Sequence, residues 1–319
     1  MPGTQSAVWI SGIFSACWAV YAGGDGLGIW FCLRHQGFTL TAGQIVRITL
    51  GGFFYSNITP GASGGQPMQV YTMNKAGVPV GSGTTAVAVR LICNQFMVSL
   101  LSLVFLIANR SFIYQQLEGA IWFVRVGWVI NFAVVPLVLL AAFRRDWVLK
   151  LLNALISLLT KIHILKKPDV IRKSAEEALD TYHTALIALL RAPGQIVLQC
   201  LCSTASLLAL TGTIIFVYHA FGMSGTPWYQ LMALSFMLFI SASYTPLPGA
   251  SGAQEGGFLY YFRNIFTGGT VGLALLIWRF FTYYLFIFVG VFNLLLEKIT
   301  RKRKPDNPEG DSSVPAGET

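Results

Sequence analysis

Pro60-Gly-Ala-Ser-Gly-Gly-Gln66 returns as Pro248-Gly-Ala-Ser-Gly-Ala-Gln254, an offset of 188 residues. Each copy ends a short apolar stretch, 44–58 before the first and 228–246 before the second. Proline removes a backbone donor and glycine admits left-handed turns, so each copy breaks the helix that leads into it. The surroundings repeat as well. An arginine inside an apolar span follows each copy: Arg90 lies 29 residues after Gly61, and Arg279 lies 30 after Gly249. The long apolar span before each copy begins 54 residues upstream of Gly61 and 55 upstream of Gly249. A motif and two spacings that recur together indicate two related halves.

What surrounds the halves is membrane-like. Of 319 residues, 54% are hydrophobic and 11% charged, with a net charge of +9. Soluble domains carry roughly a quarter charged residues. A chain this poor in charge cannot cover its surface for water, so most of that surface faces lipid. The basic excess lies between apolar stretches, where it orients the chain and meets anionic headgroups, and no direct contact with nucleic acid is expected. Cys17, Cys32, Cys93, Cys200 and Cys202 fall mostly in apolar stretches as small hydrophobes, with no zinc spacing and no disulfide framework. No metal or other cofactor is expected. Met1–Ala7 lacks the charged start of a cleavable signal peptide.

Crossing the hydrocarbon core as helix takes roughly 20 apolar residues. Full spans are expected at about 7–31, 84–108, 119–142, 194–220 and 270–296. Between 143 and 193 the composition changes: Arg144, Arg145, Lys150, Lys161, Lys166, Lys167, Arg172 and Lys173 gather there. Pro168 opens an expected amphipathic surface helix, with Ile171, Leu179, Tyr182 and Leu186 on one face and Glu176, Glu177 and Asp180 on the other. The basic block sets 143–193 on the cytoplasmic side, and Arg301-Lys-Arg-Lys304 does the same for a disordered polybasic tail over 301–319. Working outward from those anchors, loop 221–227 and the uncharged N-terminus lie outside, while Arg34, Arg47 and Lys75 lie inside. The first broken segment then dips in from the cytoplasm and the second from outside. The expected fold is an all-α polytopic membrane protein, an inverted repeat of about five full transmembrane helices and two re-entrant broken-helix hairpins. In one membrane domain over 1–300, repeat one runs about 7–108, a connector span 119–142, and repeat two about 194–296. Broken helices from opposite sides that meet near the midplane are a transporter layout, and their free N–H groups suit an anion such as a lipid phosphate.

Gly51-Gly-Phe-Phe-Tyr-Ser-Asn-Ile-Thr-Pro-Gly-Ala-Ser-Gly-Gly-Gln-Pro-Met-Gln69 resembles the first signature of the lysylphosphatidylglycerol synthase/flippase transmembrane family. Pro246-Leu-Pro-Gly-Ala-Ser-Gly-Ala-Gln-Glu-Gly-Gly-Phe258 resembles its second. The likeness covers nearly the whole chain. It implies translocation of aminoacyl-phosphatidylglycerol, or a related anionic lipid, between leaflets of the cell membrane. It also implies a link to membrane charge and to resistance against cationic antimicrobial peptides. In two-domain relatives a separate soluble domain makes the lipid from aminoacyl-tRNA, and the family carries the name phosphatidylglycerol lysyltransferase. The residues after 297 are too few for such a domain, so transferase activity is expected, if anywhere, in a separate soluble partner enzyme. Gln66 stands where some relatives have Asp, and the N-terminus is one span short of many relatives.

The residues expected to meet substrate are Arg90, Arg279, Glu255, Gln66, Gln69, Asn94 and Gln254. The arginines would take a phosphate, since a charge inside a span is costly and functional by default. Glu255 would bind a cationic headgroup or pair with Arg279. The amides would either bind substrate or bond between helices. Pro60, Gly61, Gly64, Gly65, Pro248, Gly249 and Gly252 would make the breaks. Asp25 is expected near Arg34 at the inner interface. No catalytic residue is expected: Gly61-Ala-Ser-Gly-Gly65 fits a nucleophilic-serine pattern, but no histidine follows Ser251, and those after Ser63 lie in the cytoplasmic segment or at a span's end.

Overall fold

A computed structural model describes residues 2–143 and 191–302, with scattered positions between 150 and 187. Most of the amphipathic helix expected from Pro168, and the tail beyond Lys302, lie outside the described residues. All regular structure described is helical. The first half runs α1 (Pro2–His35), α2 (Ala42–Ile58), a Pro60–Ala62 turn, α3 (Gly65–Lys75) and α4 (Val80–Ala108). Short α5 (Arg110–Leu117) and long α6 (Ile121–Phe143) follow. The second half runs α7 (Pro193–Ala220), α8 (Trp228–Ala242), a Pro248–Ala250 turn, α9 (Ala253–Phe262), α10 (Val271–Arg279) and α11 (Leu285–Lys302). A π-helical turn, Phe280–Tyr284, joins α10 to α11 without a break. Such bulges mark functional positions often enough to notice.

Local sequence sets the helix ends. Thr41 and Gln44 form a reciprocal capping box at the start of α2: the Thr41 N–H donates to Gln44 Oε1 at 2.8 Å, and the Gln44 N–H to Thr41 Oγ1 at 3.4 Å. Pro193 opens α7, where its missing N–H costs nothing. Among the described residues three helices are long and apolar enough to cross a membrane: Val80–Ala108, Pro193–Ala220 and the continuous Val271–Leu296. Their outward faces keep Ile107, Leu201, Val197, Leu276, Phe288 and Phe292 more than half exposed, a surface that water would not tolerate and lipid does. The helix α8 is the opposite case. Eleven of its fifteen residues are buried, from Leu231 to Ala242, so it is wrapped on every side. Its neighbours α4, α6, α7 and α9 close around it, and the main core cluster gathers there with Phe236, Phe258, Phe262 and Phe266.

Candidate functional site

The two Pro-Gly-Ala turns share one backbone. Gly61 has φ 58° and ψ 24°, and Gly249 has φ 58° and ψ 21°. Ala62 and Ala250 follow them into the left-handed region at φ 57° and 50°. That region costs an L-residue roughly 1–2 kcal/mol, so the surroundings must hold both alanines there. Part of the hold is visible. Thr59 Oγ1 donates to Tyr55 O at 2.6 Å and accepts from the Gly64 N–H at 2.8 Å, bridging the first break with one side chain. Ser63 Oγ donates to Pro60 O at 2.9 Å, and Ser251 Oγ to Pro248 O at 2.8 Å. Both serine hydroxyls therefore brace their turns.

The exits differ. Ser63 and Gly64 stay in the helical region, whereas Ser251 is extended (ψ 144°) and Gly252 turns at φ 86°. One motif thus sends α3 and α9 off in different directions. This explains why Gln66 is exposed, while its motif counterpart Gln254 is half-buried with a buried Oε1. Gly65 allows α3 to lie against α2: a Cβ there would sit 1.9 Å from Ser56 Oγ and 2.6 Å from Gly52 O.

The two breaks touch. The Gly61 N–H donates to Pro246 O at 3.0 Å. Tyr283, in the π turn, donates its hydroxyl to Asn57 O at 3.2 Å. A Cβ on Gly249 would fall 2.1 Å from the Tyr283 ring, so glycine is required there twice over. Arg279 fastens the second break. Its Nε donates to Glu255 Oε1 at 2.6 Å and one Nη to Gly249 O at 3.1 Å, with the guanidinium 5.1 Å from the Tyr283 ring centre. The other oxygen of Glu255 accepts the Gly252 N–H at 2.5 Å, at the start of α9 where the helix dipole favours an acid.

On the first half, Arg90 of α4 pairs with Asp25 of α1. Asp25 is thus the arginine's counter-ion rather than a neighbour of Arg34. An acid within an apolar span signals some role by its cost alone, but a partner 65 residues away cannot be read from the chain. Tyr21 and Tyr283 carried no signal at all in the sequence, and both line the site.

Between the breaks lies a cavity of about 370 Å³. Its walls include Gly61, Ala62, Gln69 and Arg90 from the first half, and Gly249, Ala250, Gln254 and Arg279 from the second. Behind Arg90 is a smaller cavity of about 70 Å³ lined by Asp25, Asn94, Gln199, Ser203 and Ser206. Tyr21, Arg90, Leu210 and Phe239 border both. Of the residues singled out from the sequence, Arg90, Arg279, Gln69 and Gln254 line the larger cavity and Asn94 the smaller. Glu255 stands behind Arg279, and Gln66 borders neither. Pro60, Gly64, Gly65, Pro248 and Gly252 shape the breaks from outside the wall. Several buried polar atoms here have no hydrogen-bond partner: Gln69 Oε1, Gln254 Oε1, Arg90 Nε and Asp25 Oδ2. Buried groups of this kind need a partner, and a site that receives a polar ligand supplies one. Among the described residues no three His, Cys, Asp or Glu side chains converge on a metal-sized space.

No solved structure matches the chain. A "UPF0104 membrane protein" of Archaeoglobus fulgidus is 25% identical over 283 residues, covering 84% of this chain and 80% of the relative. The family model described as "Lysylphosphatidylglycerol synthase TM region" matches residues 5–290. That range takes in both breaks, both arginines and both of their carboxylate partners. The chain belongs to this lysylphosphatidylglycerol synthase TM-region family and is a membrane protein.

Proposed function

We propose that this protein moves a phosphate-bearing lipid between the leaflets of the cell membrane. One observation carries the reading: a single cavity is walled by both Pro-Gly-Ala breaks and by an arginine from each half. A bare phosphate in hydrocarbon faces a Born cost on the order of tens of kcal/mol. Guanidinium and side-chain amide groups in the cavity wall replace the lost water, so the headgroup crosses there while the acyl chains stay in lipid. The halves act as inverted repeats whose re-entrant hairpins enter from opposite sides, with the C-terminus cytoplasmic. The family points to aminoacyl-phosphatidylglycerol or a related anionic lipid as cargo. Display of an aminoacylated lipid outside would lower surface negative charge and weaken cationic antimicrobial peptides.

A group-transfer reading has less support. Both motif serines are occupied in bracing their turns, and among the described residues no histidine stands in the cavity wall. A soluble lipid-modifying enzyme would then be a partner. The test is leaflet exchange in proteoliposomes carrying headgroup-labelled lipids and an impermeant quencher. Rapid loss of the protected pool, slowed at least about tenfold by Arg279→Ala, is the expected result. A pool that stays protected for every lipid tried rejects translocation and favours a subunit of lipid synthesis.

A further inference from the structure

The small cavity behind Arg90 is a polar site that lipid translocation alone does not use. Three helices build it. Asp25 comes from α1, Arg90 and Asn94 lie one turn apart on α4, and Gln199, Ser203 and Ser206 follow at helical spacing on α7. Glycines on either side of Asp25 let α7 come close to α1. A Cβ on Gly24 would fall 2.3 Å from Ser206 Oγ, and one on Gly28 2.4 Å from Gln199 Nε2. Polar groups pressed into an apolar bundle need partners. Gln199 and Ser203 are only 4% and 5% exposed, and neither side chain hydrogen-bonds to a described residue. Ser206 Oγ donates to Tyr21 O at 3.1 Å, which leaves its lone pairs to accept. Asp25 Oδ2 is buried without a partner.

Asp25 and Arg90 are the charged side chains in this wall, and the arginine borders both cavities. One Nη pairs with Asp25 Oδ1, while its Nε is buried without a partner. A lipid phosphate between the breaks competes with Asp25 for this guanidinium. Once the arginine turns to the phosphate, Asp25 is left as a buried carboxylate, which is costly unless another cation replaces it. What surrounds Asp25 is then an all-oxygen donor set of the kind hard cations take: the carboxylate with the side-chain oxygens of Asn94, Gln199, Ser203 and Ser206. One carboxylate balances one charge. The volume of about 70 Å³ exceeds the roughly 15 Å³ that one water-sized occupant needs.

We infer that the small cavity is an alkali-cation site coupled to the headgroup: Na⁺ takes Asp25, with Asn94, Gln199, Ser203 and Ser206, as Arg90 turns to the lipid phosphate. One cation enters with one phosphate, so the exchange leaves no buried charge unbalanced. Coupling between two sites is reciprocal, so Na⁺ tightens phosphate binding by the factor that phosphate tightens Na⁺ binding. A sodium gradient then gives the exchange its direction. The coupling rests on the translocation reading, whereas the cation site has its own readout.

Radioactive sodium binding to the purified full chain is measured with choline chloride holding ionic strength constant. Arg90→Gln removes the competing like charge and is expected to bind Na⁺ at least about tenfold tighter than the parent. Adding Asp25→Asn to it should abolish that binding. Equal binding by Arg90→Gln and the parent overturns the inference. In proteoliposomes, replacing Na⁺ by choline should slow exchange of labelled phosphatidylglycerol by the parent at least about fivefold. Exchange that ignores Na⁺, or that follows pH instead, overturns the inference and leaves translocation standing. Tight Na⁺ binding by Arg90→Gln without exchange of any lipid supports the site and sinks translocation. Should Arg90→Gln not fold, Ser203→Ala reads the site with the ion pair intact. It should raise the Na⁺ concentration for half-maximal exchange at least about threefold, and an unchanged value overturns the inference.

Discussion

The Arg90–Asp25 and Arg279–Glu255 pairs each place an arginine where it holds structure and faces the cavity at once, and substitutions can separate those roles. Asp25 and Arg90 expose only 12% and 15% of their side chains. Removing one partner of such a buried pair strands the other, at a cost of about 3–5 kcal/mol. Asp25→Asn is thus expected to lower Tm markedly. The double substitution Asp25→Asn/Arg90→Gln should recover much of the loss, because no unpaired charge remains, yet leave exchange as impaired as Arg90→Gln alone. Thermal unfolding in detergent beside proteoliposome exchange reads both. Recovery of stability and transport together would mean that Arg90 serves structure alone. The turn glycines give a second contrast. Gly61 and Gly249 have the same φ of 58°, but a Cβ on Gly61 meets nothing within 4 Å whereas one on Gly249 strikes Tyr283. Gly61→Ala should cost only the left-handed strain of about 1–2 kcal/mol. Gly249→Ala should cost more, and should also loosen the Tyr283–Asn57 link between the halves. Equal Tm losses for the two would show that the Tyr283 ring simply moves aside.

At the scale of elements, glycines decide how closely helices approach, and the sequence does not say which ones. Gly127 of α6 would place a Cβ 2.3 Å from Ile240 O of α8, while Gly51 of α2 has open space around the same position. Gly127→Ala is expected to destabilise by about 1–3 kcal/mol through overpacking. Gly51→Ala should be neutral or raise stability by up to about 1 kcal/mol, since alanine is the better helix former. Thermal unfolding of the two single variants decides it; a Gly127→Ala protein as stable as the parent would show that α6 is free to shift. The pattern of what could be read in advance follows the same logic. Helix positions, the two breaks and the Arg279–Glu255 pairing were legible because each is encoded within about thirty residues, as an apolar run, a Pro-Gly turn, or an arginine in step with an acid. The Asp25–Arg90 pair was not, because it depends on how α1 settles against α4 and α7. Gln66 was chosen as the twin of Gln254, and motif identity misled there. Ser63 and Ser251 take different ψ values, and α3 leaves its turn on another heading.

For the whole molecule, the decisive claim is that the halves are inverted, and it rests on where charge falls along the chain. Each half has a loop joining its first long helix to its broken one: 36–41 between α1 and α2, and 221–227 between α7 and α8. The first follows Arg34 and His35 and precedes Arg47; the second holds no Lys, Arg, Asp or Glu. The positive-inside rule predicts a cytoplasmic first loop and an external second one. If the halves were related by a simple translation, both loops would lie on the same side. Thr39 and Ser224 are exposed in these loops, so each can carry a reporter without disturbing packing. In a background with the five native cysteines replaced, Ser224→Cys should react with a membrane-impermeant maleimide on intact cells. Thr39→Cys should react only after the membrane is opened. Labelling of both from the same side would remove the inverted repeat, and with it the idea that the two Pro-Gly-Ala breaks reach one cavity from opposite leaflets. The breaks would still touch through Gly61 and Pro246, but a headgroup would have only one way in.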